Sequence, residues 1–412
     1  MQQFQSSTIR RRLWKFHGGV HLPDEKSLSS GKPVEAAPLP AELTIPLQQH
    51  IGTAAKPLVE VGDRVLKGQK IGEAQGYVSA PVHASSSGRV TAIEKRPVPH
   101  PSGLSGACIV IETDGEDAWA ELPEPMTDYA KRDPAEIRDR IRWAGIVGLG
   151  GAAFPTSVKL NPGPDQNIHT LIINGAECEP YITCDDMLMR GQAERIVQGI
   201  RIVRHLLGVD ECLIGIEDNK PEAIESMRAA VAGSDLKGST EVVTIPTLYP
   251  SGGEKQLIRI LTGREVPSNG IPAQIGILCQ NVGTCAAVAD AVLEGKPLIS
   301  RYVTLTGRAF DDPRNLTVPI GTSAEHLIEQ VGGFKGGLRK LVLGGPMMGI
   351  SLERQDVPIT KAANCLLALT EEEAPDQGPA LACIRCGTCA NACPMSLLPQ
   401  QMYWPAPAND LE

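Results

Sequence analysis

The chain has 412 residues, of which 42% are apolar and 21% charged, and a formal net charge of −9. That length supports roughly two to four domains, and the acidic balance excludes a general nucleic-acid binder, which presents a basic face. No run approaches the roughly 18 to 20 apolar residues of a membrane helix, and the N-terminus lacks an apolar signal-peptide core. A cytosolic setting follows, in which the eleven cysteines read as metal ligands or free thiols rather than disulfides.

Residues 1–40 read as an N-terminal arm. Arg10 to Arg12 make its start basic and are expected to be solvated, and "HLPDEKSLSSGKPVEAAPLP" has the polar, proline-rich texture of a linker. From 41 to 125 short apolar runs divided by glycine, such as "KPLVEVGDRVLKGQKIGEAQ" and "YVSAPVHASSSGRVTAIEK", predict a small antiparallel β domain. Residues 126–297 alternate. "DPAEIRDRIRWAGI" is helical with Asp133 as N-cap, "HTLIING" is a buried strand, and "DMLMRGQAERIVQGIRIVRHLLG" keeps a 3.6-residue period up to its glycine. Two more strand–helix pairs follow, so this region is an α/β layer domain with a mostly parallel sheet. Residues 298–350 read strand, turn, strand, helix, strand, a small β-grasp-like unit. Residues 351–380 read as a linker or helical segment, and 381–412 as a partial ferredoxin-like segment. The fold class is therefore multidomain α/β.

Four loops of the α/β region carry chemistry. "GIVGLGGAAFPTSVKL" lets backbone N–H groups approach a phosphate or a flat ring, with Lys159 able to add a charge. It matches neither a Walker loop nor a GxGxxG turn. "IINGAECEPYITCDDMLMR" delivers Glu177, Glu179, Asp185 and Asp186 to the carboxyl end of a strand, where ligands of open α/β sheets sit. Its Cys178 and Cys184 read as free thiols. "YPSGGEKQLIRILTG" opens a helix whose N–H groups suit an anion, and "CQNVGTCAAV" ends another strand with polar side chains. Together they fit a nucleotide-type pocket.

Cys383, Cys386, Cys389 and Cys393-Pro394 match C-x2-C-x2-C-x3-C-P, a 4Fe–4S pattern rather than a zinc ribbon, whose cysteine pairs lie further apart. In two-cluster ferredoxins the fourth cysteine serves the other cluster. The tail "MSLLPQQMYWPAPANDLE" holds no second motif. Three explanations stay open: a truncated chain, ligands from a partner subunit, or one locally closed cluster. The tail favours the first, because "LLPQQMYW" reads as a helix cut short.

"VEVGDRVLKGQKIG" and "VSAPVHASSSGRV" resemble the barrel-sandwich domains of biotinyl and lipoyl carriers. Val78 and Ser79 stand where a carrier lysine belongs, so the domain is expected to be a scaffold. "GLGGAAFPTSVKL", "NGAECEP", "YPSGGEKQL" and "QNVGT" resemble, in order and spacing, the flavin-binding subunit of respiratory complex I. Over residues 1 to 404 the chain resembles the C subunits of Rnf electron-transport complexes.

That resemblance implies FMN held by Gly148, Gly150, Gly151, Lys159, Asn174, Tyr249, Gly252 and Asn281. It implies NAD(H) contacts from Phe154 and Glu179, with Glu177 and Glu254 bordering flavin and dinucleotide. Glu179 and Glu177 are the catalytic candidates. Leu149 replaces an arginine and Ala176 an aspartate of the complex I pattern. The implied role is a peripheral subunit, without a membrane-spanning segment of its own, on the cytoplasmic face of the inner membrane. It would work with other subunits, an iron–sulfur partner and a ferredoxin-like carrier, and couple NADH–ferredoxin electron transfer to ion translocation. The alternatives are a soluble NADH-dependent flavoprotein reductase and a scaffold impaired in electron transfer.

Overall fold

The computed structural model describes residues 11–163, 165–376, 378 and 381–403. Arg10 and the tail beyond 403 therefore lie outside the described residues.

The first strand, β1 (Glu35–Ala36), lies in the arm. The small β domain follows with β2 (Glu42–Pro46), β3 (Lys56–Pro57), β4 (Arg64–Val65), β5 (Lys70–Glu73), β6 (Val82–His83), β7 (Gly88–Pro97) and β8 (Ser105–Thr113). They form two antiparallel sheets, β2-β8-β7-β4 and β3-β5-β6. Leu43, Ile45, Val65, Ile71, Val90, Ile109 and Ile111 fill the space between, each fully buried.

The central domain runs α1 (Pro134–Trp143), α2 (Thr156–Lys159), β9 (Thr170–Gly175), α3 (Cys184–Leu207), β10 (Glu211–Glu217), α4 (Pro221–Ala232), β11 (Thr240–Ile245), α5 (Glu254–Thr262), β12 (Ile277–Asn281) and α6 (Val282–Glu294). Its sheet is wholly parallel, in the order β11-β10-β9-β12. A parallel sheet is covered on both faces, which explains why β9 and β10 are almost unbroken apolar runs. The Asp133 carboxylate accepts from Ala135 N at 2.8 Å, capping α1. Gly208 and Gly263 end α3 and α5 in the left-handed region, which costs a residue without Cβ little.

A third unit contains β13 (Ser300–Thr306), β14 (Arg314–Pro319), α7 (Ala324–Gln330), β15 (Leu338–Leu343), β16 (Ile350–Leu352) and β17 (Cys365–Thr370). Its sheet order is β1-β14-β13-β17-β15-β16. The expected boundaries shift at both ends. The reading of 351–380 as linker or helix gives way to β17, which sits between β13 and β15 because Leu366, Leu367 and Ala368 are fully buried there. The arm also contributes, since β1 pairs parallel with β14. Arg11 of the arm, half-buried, pairs with Glu211 and Glu241 of the central domain. The described residues end with α8 (Thr388–Ala392) and α9 (Pro399–Tyr403). This segment docks on the arm, where Gly19 N donates to Ala392 O at 2.9 Å.

The three folded units meet at Lys361. Its Nζ, fully buried, donates to Pro81 O of the β domain at 2.8 Å and to Gly145 O of the central domain at 2.7 Å. Burial lowers its pKa from 10.5 to about 7. Between those values the folded chain binds fewer protons than the unfolded one, so stability rises with pH across that interval. Lys361→Met is therefore expected to flatten the gain in stability from pH 7 to 10 in denaturant titrations. It leaves two carbonyls unpaired, costing roughly 2 to 4 kcal/mol at alkaline pH.

Candidate functional site

The site lies where the parallel strands of the central sheet deliver their C-terminal ends. Asn174 is the penultimate residue of β9 and Asn281 the last of β12, and the two are neighbours in the ladder. The Asn174 amide donates to Gly252 O at 2.8 Å, tying β9 to the turn before α5. Asn281 caps α6, with its Oδ1 accepting from Gly283 N (2.9 Å) and Thr284 N (3.3 Å). Its Nδ2 donates to Asp185 Oδ2 at 2.6 Å, so a single side chain fixes the starts of α6 and α3.

The glycine-rich loop closes over these ends. Gly148 N donates to Phe154 O at 2.8 Å and Ala153 N to Gly148 O at 3.2 Å, making a tight turn. Ala153 and Gly151 take positive φ (48° and 107°). The Leu149 side chain is buried in the central core, its N–H bonded to Thr284 Oγ1 at 3.0 Å. Its carbonyl accepts from the buried Arg301 of β13 at 3.2 Å. Among the described residues the N–H groups of Gly150, Gly151 and Ala152 have no partner.

These elements enclose a cleft of about 710 Å³. Gly148, Gly150, Phe154, Lys159, Asn174, Gly252, Glu254 and Asn281 all line it. Lys159 Nζ bonds Glu254 Oε1 at 2.5 Å within it, and both side chains keep about a third of their surface exposed. The remaining candidates lie elsewhere. Gly151 is in the same turn but off the lining, and Tyr249 lines a neighbouring water-sized recess with Cys178, Glu179 and Lys26.

The acidic loop is pinned rather than open. Glu177 is half-buried, its carboxylate accepting from Asp185 N (2.7 Å) and Asp186 N (3.3 Å) at the start of α3. Burial pushes its pKa to about 7, and burial likewise raises that of Asp185. Glu179 Oε2 accepts from Met347 N at 3.0 Å, while its buried Oε1 has no partner. A side chain at Gly345 would collide with that carboxylate. Cys184 is a buried thiol, and Cys178 is partly exposed beside Gly252.

Several residues that hold this site escaped sequence reasoning. Lys26, in the arm, is buried and donates to the carbonyls of Glu177 (3.0 Å), Glu179 (3.1 Å) and Ile182 (2.6 Å). Lys220 and Glu217 form a fully buried pair at 2.8 Å, and Glu217 accepts from Ser251 Oγ at 2.6 Å, bracing the turn before α5. Glu217, at the end of an apolar strand, is the only one of these three with a local sign; Lys26 and Lys220 sit in polar stretches. The position of Tyr77 on the cleft wall gave none.

Cys383, Cys386 and Cys389 are exposed and Cys393 is half-buried. Arg385 N donates to Cys383 Sγ (3.4 Å) and Thr388 Oγ1 to Cys386 Sγ (3.3 Å), contacts that suit thiolate ligands. The Thr388 bond lowers the Cys386 pKa. Among the described residues no three His, Cys, Asp or Glu side chains converge as a metal group; Cys383 and Cys386 precede α8, Cys389 lies in it and Cys393 follows it.

Comparison with known families agrees with this architecture. Residues 14–116 match the RnfC barrel sandwich hybrid domain, 141–290 the Nuo51 FMN-binding domain, and 302–351 the SLBB domain. The chain is 51% identical over 400 residues to the C subunit of the ion-translocating oxidoreductase complex of Pseudomonas aeruginosa, covering 97% of this chain and 51% of that protein. By sequence it belongs to this C-subunit family. The corresponding protein of Vibrio cholerae is 50% identical over 97% of this chain and 51% of the relative, and that of Yersinia pestis 49% over 97% and 64%. The chain thus spans about half the length of the first two relatives. An NAD+-reducing [NiFe]-hydrogenase shares the fold over 60% of this chain and 49% of its own (TM-score 0.52, 21% identity).

Asn281→Ala removes a helix cap and the donor to Asp185. A loss of roughly 2 to 4 kcal/mol in denaturant unfolding is expected. Asn281→Asp keeps the cap but faces Asp185 with a second carboxylate, so its stability should fall as pH rises through the carboxylate range.

Proposed function

We propose that this chain binds FMN in the cleft and passes electrons from NADH through it to iron–sulfur centres, as a peripheral subunit on the cytoplasmic face of the inner membrane. The complex would couple transfer between NADH and a ferredoxin-like carrier to ion translocation, and a partner subunit would carry further iron–sulfur centres. No helix among the described residues is long and apolar enough to cross a membrane, which is consistent with a peripheral place.

The observation that carries the reading is the meeting of Lys159, Asn174, Asn281 and unpartnered glycine-loop N–H groups on one large cleft, inside the segment that matches an FMN-binding family. The residues fit the cofactor. Gly148 and Gly150 keep the space clear of side chains. Lys159 supplies a cation for a phosphate, and the N–H groups of Gly150 and Ala152 supply donors. FMN, when bound, accepts a hydride and releases electrons one at a time.

The protein's own contribution is binding and positioning. Glu177 holds the start of α3 in place. Tyr249 and Gly151 support the loops around the cleft, and Phe154 offers an apolar face to the dinucleotide. Glu179 Oε1 is the open acceptor, next in sequence to the Cys178 that packs against Gly252. Cys383, Cys386, Cys389 and Cys393 are the thiolates we assign to a 4Fe–4S cluster.

Anaerobic addition of NADH to flavin-reconstituted protein should bleach the flavin's visible absorption band; an unchanged spectrum would sink the reading. Lys159→Met should weaken FMN binding roughly tenfold or more, as expected for a lost charged hydrogen bond. Riboflavin, which has no phosphate, should bind both proteins alike.

A further inference from the structure

The small β domain resembles a carrier whose modified side chain rides on a hairpin tip, yet this tip is fastened on several sides by hydrogen bonds. Gly76 O accepts from Arg142 Nη2 of α1 at 2.8 Å, fastening it to the central domain. Val78 O accepts from Thr53 N at 3.1 Å. Ser79 Oγ donates to Thr53 O at 2.7 Å and accepts from Gln75 N at 2.9 Å. His50 Nε2 accepts from Ala80 N at 3.0 Å. The neighbouring loop joins the glycine-rich turn directly, with Ile51 N donating to Ala153 O at 3.2 Å. Both residues at the carrier position are thus spent on internal bonds.

What the rigid tip presents is Tyr77. Its neighbours are locked, but the residue itself is 59% exposed and lines the cleft. More than half of its surface stays in solvent on a backbone fastened on both sides. Tyr77 and Phe154 are the aromatic residues on the cleft lining, and they come from different domains. Ile271, 52% exposed, and Pro272 line the same cleft with more apolar surface. The polar groups that suit a phosphate, Lys159 and the glycine-loop N–H groups, belong to the central domain. Tyr77 therefore adds a face that suits a planar ring and no anion-binding group of its own.

We propose that Tyr77 is a stacking wall for the adenylate half of the incoming dinucleotide, supplied across the domain boundary by the hairpin tip of the β domain. The inference rests on reading the cleft as a dinucleotide site and names a determinant of substrate choice in it. An aromatic platform needs only a planar π face opposite it, and two χ angles are fixed on binding, so the entropy cost is small. The barrel-sandwich domain is on this account part of the binding site and not only a scaffold.

The test uses the FMN-loaded full chain, wild type against Tyr77→Ala and Tyr77→Phe, with thermal unfolding as a fold control. Titration calorimetry with ADP-ribose, which has the adenylate but no nicotinamide, reads the subsite directly. Tyr77→Ala should weaken ADP-ribose by about tenfold, the size expected of base–aromatic stacking, and Tyr77→Phe should restore it. KM for NADH should rise with Tyr77→Ala, while KM for reduced nicotinamide mononucleotide, which lacks the adenylate, should not. Equal ADP-ribose affinity in wild type and Tyr77→Ala would overturn the proposal, as would an equal rise in KM for both reductants. Wild type that fails to bind ADP-ribose would overturn it as well. If ADP-ribose binds through Tyr77 while NADH leaves the flavin oxidised, the subsite stands and the electron-transfer reading falls.

Discussion

Lys26 reaches from the arm into the central domain and satisfies three carbonyl oxygens of the acidic loop with one ammonium group. Lys361 does the same between Pro81 and Gly145, and Arg301 bridges Lys361 O and Leu149 O. All three cations are almost wholly buried. A loop that lines a ligand cleft cannot bond its carbonyls into a sheet, and buried carbonyls without partners are costly. Here the partners come from outside the domain that owns the loops. The arm, the β domain and the third unit each brace loops that adjoin the cleft.

That arrangement has an energetic signature. Burial lowers the pKa of Lys26, Lys361 and Arg301 and raises that of Glu177, Asp185 and Glu179. Charged groups kept out of water are destabilising unless bonded, so each acts as a specificity device: the loops are stable in one arrangement and penalised in others. The Glu217–Lys220 pair with Ser251 applies the same logic to the turn before α5. Ordinary flexibility is thereby reduced where a cofactor would need a preformed bed.

Much of this was legible in sequence, and the remainder follows a physical rule. Strand–helix alternation and capping residues such as Asp133 are local, so the parallel domain could be read directly. The glycine loop, Asn174, Lys159 and Asn281 announced themselves because residues with special backbone or amide chemistry sit at strand ends. Lys26 did not, since a lysine in a proline-rich polar stretch reads as solvated, and its burial depends on carbonyls more than 150 positions away. β17 was lost for the same reason, because "CLLALT" becomes a strand only through partners on both sides. Glu179 looked like part of an open acidic cluster, yet its carboxylate is held by a backbone N–H of the third unit. Pairings across domains leave no period in the chain.

The cysteine segment packs on Gly18 and Gly19 of the same arm that carries Lys26. The arm thus touches both the segment assigned to iron–sulfur ligation and the loops assigned to flavin. Whether the cleft is the flavin's bed is the claim on which the rest turns. Hydrogen exchange with and without FMN tests it most directly. The account predicts added protection in the glycine-rich loop from 148 to 154, in the turn before α5 and at the start of α6. Flavin bound without protection there, or with protection confined to another face of the protein, would contradict it.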